Sequence, residues 1–212
     1  MIGVIGVIER SGRTLYCAAL TFSPTGDLVA RHRKLMPTAS ERLLWGLGDG
    51  STMDVIDAPF GRVATAICWE NYMPLYRTAL YADGVEFWCA PTVDERDVWQ
   101  ATMRHIAVEG RCFVLSSNQY LTADHLPDDY QLPTGHEPDV ALIGGGSVIV
   151  SPMGDVIAGP LRSSEGLLVA DLDRAALARG SFDLDAVGHY SRPDIFELHV
   201  DRRPKPGVTS TS

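Results

Sequence analysis

The chain has 212 residues, 45% hydrophobic and 21% charged, proportions that belong to a globular domain and exclude a disordered or fibrous chain. Eighteen basic against 27 acidic side chains leave a net charge of −9. So acidic a chain is a poor ligand for nucleic acid or an anionic membrane surface.

In chain order, Ile2–Ile8 and Thr14–Phe22 are β-branched runs separated by Ser11-Gly12, and they predict a hairpin. After the turn at Ser23-Pro24-Thr25-Gly26, Leu28–Ala30 predicts a short third strand. Met53–Phe60, Val63–Cys68, Glu86–Ala90 and Cys112–Ser117 follow as strands. Ser147–Ser151 and Asp155–Ala158 flank Pro152-Met153-Gly154 as a late hairpin, and Gly166–Asp171 is expected to be the last strand.

Helical spacing interrupts this series. One helix is expected from Asn71, as N-cap, to Asp83-Gly84, with Leu75, Tyr76, Ala79 and Leu80 on one face. A second spans Asp97–Gly110. It carries two apolar stripes, Trp99, Met103 and Ile106 on one and Val98, Ala101, His105 and Val108 on the other. Two stripes predict burial between two layers, or between a sheet and a partner subunit, with His105 as a packing residue. Arg174–Arg179 predicts a third, short helix. Strands alternating with helices, plus hairpins, give a mixed-sheet layered α/β architecture.

Leu121–Gly146 shows no period over 26 residues; a lid, an oligomer contact and a plain surface loop all fit. Gly144-Gly145-Gly146 within it lacks the setting of a dinucleotide loop and reads as a bend. Residues 1–201 are expected to form one domain and 202–212 a flexible tail. MIGVIGVIER lacks the basic n-region of a secretory signal, and no segment approaches a membrane span, so a cytoplasmic chain without a membrane partner is expected. The four cysteines form no CxxC pair and the six histidines no zinc-like spacing, which suits a reduced compartment and no metal.

Cys68 differs from the other cysteines by context. It closes an apolar strand just before a helix, a placement that sets a side chain at the carboxyl edge of a sheet, where a helix N-terminus favours the nucleophilic thiolate. Cys17, Cys89 and Cys112 lie inside apolar runs and read as small buried hydrophobes. An inert buried thiol is the competing reading for Cys68 as well.

Cys68-Trp69-Glu70-Asn71-Tyr72-Met73-Pro74 resembles the nucleophile motif of the nitrilase branch of the carbon–nitrogen hydrolase superfamily. His32-Arg33-Lys34-Leu35-Met36-Pro37-Thr38 is similar to that family's lysine segment, and Glu41-Arg42, Trp45-Gly46 and Gly48-Asp49-Gly50-Ser51 to the block after it. Ala90-Pro91-Thr92, Trp99-Gln100, Met103-Arg104-His105, Glu109–Phe113 and Arg192-Pro193-Asp194 continue the likeness in order over nearly the whole chain.

The resemblance implies an α-β-β-α layered sandwich with mixed sheets, homo-oligomeric assembly and cofactor-free hydrolysis of a small-molecule nitrile to a carboxylic acid and ammonia. It assigns Cys68 as nucleophile, Lys34 as electrostatic stabiliser and Glu41 as a carboxylate orienting Lys34 and substrate. Trp69, Glu70 and Thr92 are then expected to bind substrate. The chemistry needs these types: a poorly polarised nitrile carbon calls for a thiolate, and the anionic nitrogen formed by attack calls for a fixed cation. Taken alone, Lys34 reads as part of a solvated basic run, the usual case for such a cluster, and Glu41 as a helix-capping residue after Ser40.

The same resemblance implies a base glutamate well N-terminal to the lysine. Of the 33 residues before Lys34 only Glu9 is a glutamate, and Ile8-Glu9-Arg10-Ser11 is similar to the family's hairpin rather than to its base motif. The expectation is therefore a chain lacking the family's N-terminal portion. Two other activities stay open on these residues: a non-catalytic homologue serving as an assembly or binding partner, and an amidase using the same groups.

Overall fold

The computed structural model of the protein describes residues 1–132 and 140–205. Its first unit is the expected hairpin, β1 (Gly3–Ser11) antiparallel to β2 (Thr14–Phe22), extended by β3 (Leu28–Arg33) into a three-stranded sheet in that order. The period of two sorts the side chains. Val4, Cys17, Ala19 and His32 face the rest of the protein, whereas Ile5, Val29 and Arg31 stand on the outer face.

A larger mixed sheet holds β4 (Val55–Ala58), β5 (Gly61–Thr65), β6 (Phe87–Thr92), β7 (Phe113–Asn118), β8 (Tyr120–Leu121), β9 (Ile143–Val150) and β10 (Val156–Arg162). Its order is β10-β9-β7-β6-β5-β4, with β8 beside β9. The β5–β6 and β6–β7 pairs are parallel and the others antiparallel. Parallel neighbours require crossovers, and these are α1 (Pro74–Ala82) between β5 and β6, and α2 (Asp97–Gly110) between β6 and β7.

Both helices pack on one face of the large sheet, enclosing Ala64, Trp88, Trp99, Met103, Ile106 and Val114. Trp88 and Trp99 are wholly buried, and each such side chain contributes on the order of 2–3 kcal/mol through burial. The opposite face carries Val63, Phe87 and Phe113, covered by Val4 from the small sheet and by Leu177 of α3 (Ala175–Asp183). Helices, large sheet and small sheet thus stack as three layers, α-β-β, of the α-β-β-α class that the sequence implies, and no described helix covers the outer face of the small sheet. An apolar cavity of about 530 Å³ remains between the sheets, lined by Val4, Val63, Phe87, Cys89 and Leu115 among others. No described helix is long and apolar enough to cross a membrane.

Several sequence expectations are corrected. The first helix starts at Pro74, not Asn71. Proline suits the first helical position because its missing N–H would be unpaired there anyway, and Cys68–Tyr72 form a separate 3-10 turn. The second helix spans the expected residues but buries one stripe only: Val98 and His105 are exposed, and His105 pairs with Glu109 at 3.5 Å instead of packing. No second layer of the described chain covers that face.

Gly166–Asp171 alternates between exposed Leu167 and Val169 and half-buried Leu168 and Ala170, yet is no strand, because no neighbouring strand pairs with it. Alternation reports an extended backbone, not a partner. The third helix begins at Ala175 and runs on to Asp183. Gly144–Gly146 lie within β9 rather than in a bend. Gly145 and Gly146 have φ of 81° and 119°, left-handed values that glycine adopts without a Cβ penalty.

The long irregular segment shortens to the stretch between β8 and β9, which contains a 3-10 turn at Ala123–His125; residues 133–139 of it lie outside the described residues. Of the expected tail, Arg202 is held by Asp83 at 2.5 Å and the Lys205 N–H by Asp49 at 2.7 Å. Residues 206–212 lie outside the described residues.

Candidate active site

Cys68 follows β5 at the carboxyl edge of the large sheet, at the head of the 3-10 turn. Its φ is 51°, a left-handed conformation that costs a non-glycine residue about 1–3 kcal/mol and persists only where surroundings enforce it. Asn71 supplies part of that enforcement. Its Nδ2 donates to the carbonyls of Cys68 (2.7 Å) and Ala66 (2.9 Å), while Trp88 Nε1 donates to its Oδ1 at 2.8 Å. The Thr92 hydroxyl donates to Cys68 Sγ at 3.3 Å and accepts the Asp94 N–H at 2.9 Å. Thr92 therefore touches the nucleophile itself, from the end of β6.

Lys34 enters from the other sheet, directly after β3. Its side chain is 1% exposed, and Nζ donates to Glu41 Oε2 at 2.7 Å and Thr38 Oγ1 at 3.0 Å. The same Glu41 oxygen accepts the Thr38 N–H at 2.6 Å. The capping reading and the lysine-orienting reading of Glu41 are thus met by one carboxylate. Gly48 pins the segment from behind: its N–H donates to the Lys34 carbonyl at 2.9 Å, and a Cβ at this position would collide with the Arg33 carbonyl.

A cavity of about 310 Å³ opens over Cys68, lined by Thr38, Glu41, Trp69, Val93, Asp94, Glu95, Arg96 and Leu142. Trp69 is 44% exposed in its wall. Its Nε1 donates to Asp94 Oδ2 at 2.9 Å, and the Arg96 guanidinium sits 5.3 Å from its ring centre while gripping Asp94 through two nitrogens. Hydrogen bonds from Arg96 hold the Asp94 carboxyl below the usual carboxylate range, with Trp69 adding to the effect. Glu95 accepts the Gly144 N–H. Of these three carboxylates, Asp94 has both oxygens engaged, whereas Glu41 Oε1 and Glu95 Oε1 accept no hydrogen bond from a described residue.

The structure therefore gathers Cys68, Glu41 and Trp69 about one cavity, with Thr92 joined to them through the Cys68 sulfur and Lys34 through Glu41. Glu70 it does not bring there. That residue is 1% exposed and turned beneath the elbow formed by the end of β5 and the Cys68–Tyr72 turn, where its carboxylate meets the N–H groups of Ile67 and Leu35 and the His32 ring. A side chain whose oxygens are all committed inside the protein has none left for substrate. Glu9 lies elsewhere as well, bound on the outer face of the small sheet by Arg31 (2.9 Å) and Arg33 (2.6 Å).

Burial pushes the Cys17 thiol up to about 11, and Lys34, Glu41, Glu70 and Cys68 all act on it electrostatically. Burial also pushes Cys89 and Cys112 up to about 12. Cys89 lines the larger inter-sheet cavity, which accordingly offers a protonated thiol and no nucleophile.

Sequence reasoning missed Thr38, His32 and Asp94. Thr38 carries a readable signal, Thr38-x-x-Glu41, the pattern of a capping box. Asp94 carries none, since only folding sets it against Trp69.

The sequence profile described as "Carbon-nitrogen hydrolase" matches residues 1–180. An aliphatic nitrilase of Sinorhizobium fredii is 57% identical over 97% of this chain and 67% of its own length. A nitrilase of Bradyrhizobium diazoefficiens is 54% identical over 99% of the chain and 65% of its own. The chain thus spans about two thirds of the length of these curated relatives. Among solved structures, a carbon–nitrogen hydrolase of Helicobacter pylori superposes with a TM-score of 0.75 at 16% identity, covering 91% of this chain and 69% of that one; at that identity the likeness concerns the fold. On the match over residues 1–180 and the identity to these relatives, the chain belongs to the carbon–nitrogen hydrolase family.

Proposed function

We propose that this protein hydrolyses a nitrile to a carboxylic acid and ammonia through a thioester on Cys68. The observation that carries the reading is the left-handed Cys68 facing a cavity shared with Glu41, whose carboxylate is bound to the buried Lys34.

The Cys68 sulfur adds to the nitrile carbon, forming a C–S bond while one π pair moves onto nitrogen. Lys34, fixed in place before the substrate arrives, offsets that developing charge at no reorganisation cost. Proton transfer to nitrogen gives a thioimidate. Addition of water then expels ammonia and leaves a thioester, and a second water releases the acid and restores the thiol. Glu41, with Oε1 uncommitted and Oε2 fixed by Lys34 beside the nucleophile's cavity, takes the proton from water. Trp69, held flat by Asp94 and Arg96, forms the apolar wall on which a nitrile substituent rests. Homo-oligomeric assembly and a cytoplasmic location belong to the same reading and rest on the family resemblance.

Ammonia release from a panel of nitriles, with the matching amides alongside, tests this reading on the purified chain and on Cys68→Ala. The reading predicts release from at least one nitrile that disappears in the variant. Release from amides alone, or release that survives Cys68→Ala, contradicts it.

A further inference from the structure

The buried carboxylate of Glu70 joins the two halves of the site. Oε1 accepts the N–H of Leu35 at 2.7 Å, and Oε2 accepts the N–H of Ile67 at 2.7 Å. Leu35 follows Lys34, and Ile67 precedes Cys68. The first residue leaves the small sheet and the second leaves the large one, so the two segments come from different layers.

His32 seats the carboxylate. Its Nε2 lies 3.0 Å from Oε1 and 2.9 Å from Oε2, and its Nδ1 lies 2.9 Å from the Thr52 carbonyl, so as an imidazolium the ring donates on both sides. Tyr76 closes the group, its hydroxyl donating to the Thr65 carbonyl at 2.7 Å and lying 3.2 Å from His32 Nε2. All of this is sealed: Glu70, His32 and Tyr76 are buried. Asn71 braces the elbow from within through the Ala66 and Cys68 carbonyls, whereas Glu70 reaches across to the lysine segment.

We propose that Glu70 is a positioning residue for the reaction, its carboxylate setting the register of Lys34 against Cys68. This rests on the reading of Cys68 and Lys34 given above. Only a group with two acceptor oxygens can hold both amides. A glutamine offers one oxygen and one NH₂, and the NH₂ would face a backbone donor, so either Leu35 or Ile67 would lose its anchor. A glutamate that bound substrate instead would announce itself in KM.

The test compares the full chain with Glu70→Gln and with a core substitution, Leu80→Ala, whose melting temperature falls at least as far. Two rates are read: alkylation of Cys68 by iodoacetamide, which needs no nitrile, and nitrile turnover. Glu70→Gln is expected to slow alkylation tenfold or more and to lower kcat by a similar factor with KM within twofold, while Leu80→Ala keeps both rates within twofold. Alkylation in Glu70→Gln equal to that of the Leu80→Ala control overturns the proposal, as does a rise in KM at constant kcat. If the wild-type chain turns over no nitrile, the proposed function fails separately and the alkylation comparison alone decides. If Glu70→Gln does not fold, His32→Gln replaces it. It keeps both amide bonds but removes the ring that seats the carboxylate, and is expected to slow alkylation at least threefold; no slowing overturns the proposal.

Discussion

The Thr92 hydroxyl lies 3.3 Å from Cys68 Sγ and simultaneously accepts the Asp94 N–H. One short side chain at the end of β6 thus fixes both the nucleophile and the residue that orients Trp69. Thr92→Val keeps the shape and removes the hydroxyl. Its expected cost is about tenfold in kcat, the equivalent of one hydrogen bond of about 1.4 kcal/mol. Thr92→Ser is expected to retain activity within about threefold, an allowance of roughly 0.7 kcal/mol for the lost methyl contact. Ammonia release under saturating nitrile measures both variants.

The Lys34–Glu41 pair separates stability from activity. Lys34 is almost wholly buried, and deleting Glu41 leaves its charge uncompensated. Glu41→Ala is therefore expected to lose about 2–4 kcal/mol in urea unfolding, slightly less than a fully buried broken pair because Glu41 is 25% exposed. The double variant Lys34→Met, Glu41→Gln removes both charges of the pair and is expected to recover most of that loss while staying inactive. A double variant as unstable as Glu41→Ala would show that the charge is not what destabilises.

His32 gives the fold a pH dependence with a definite sign. Burial alone would lower its pKa, but the Glu70 carboxylate, the Thr52 carbonyl and Asp54 outweigh burial and raise it above its ordinary value of 6.5; the other titratable group facing it is the Tyr76 hydroxyl. A raised folded pKa means stabilisation that is complete below about pH 6.5 and is lost as pH climbs through the folded value. Wild type should lose more stability than His32→Gln between pH 6 and pH 9, read from urea midpoints at each pH. Parallel profiles would contradict the buried ion pair.

Glu109 has the opposite sign. Burial by itself raises its pKa, but hydrogen bonds from Arg77 (2.6 Å) and Tyr81 (2.9 Å) bring it below 4.5. Its contribution is present above about pH 4.5 and disappears as pH falls through the lower folded value. Arg77 also donates to the Asn71 carbonyl at 2.8 Å, so this cluster ties α1 and α2 to the elbow. Glu109→Gln is expected to cost about 1–3 kcal/mol at pH 7 and to flatten the acid limb of the stability profile.

Much of this fold is readable in the chain because the periods are clean. Asp97–Gly110 and the Thr14–Phe22 strand have the expected bounds, whereas the strand expected to close on Cys68 ends at Thr65 and Cys68 heads the 3-10 turn that follows. The misreadings share a cause: a pattern states which residues share a face but not what covers it. Val98 and His105 have the spacing of a buried stripe and meet solvent, and Leu168 and Ala170 have the spacing of a strand and meet no partner. Glu70 is the clearest case in the site. Its place two residues after Cys68 suggests contact with substrate, but its side-chain direction is set by Leu35 and His32, some 35 residues away in the chain. Asp94 likewise takes its meaning from Trp69, 25 residues earlier.

The central claim is that Cys68 carries the substrate's carbon during turnover. The most direct measurement is an acid quench of the chain during steady-state reaction with a nitrile it consumes, followed by mass analysis of the peptide containing Cys68. The account predicts that this peptide bears the mass of the acyl group and that Cys68→Ala shows neither adduct nor ammonia. Ammonia formed with Cys68 unmodified at every quench time, and still formed by Cys68→Ala, would contradict it.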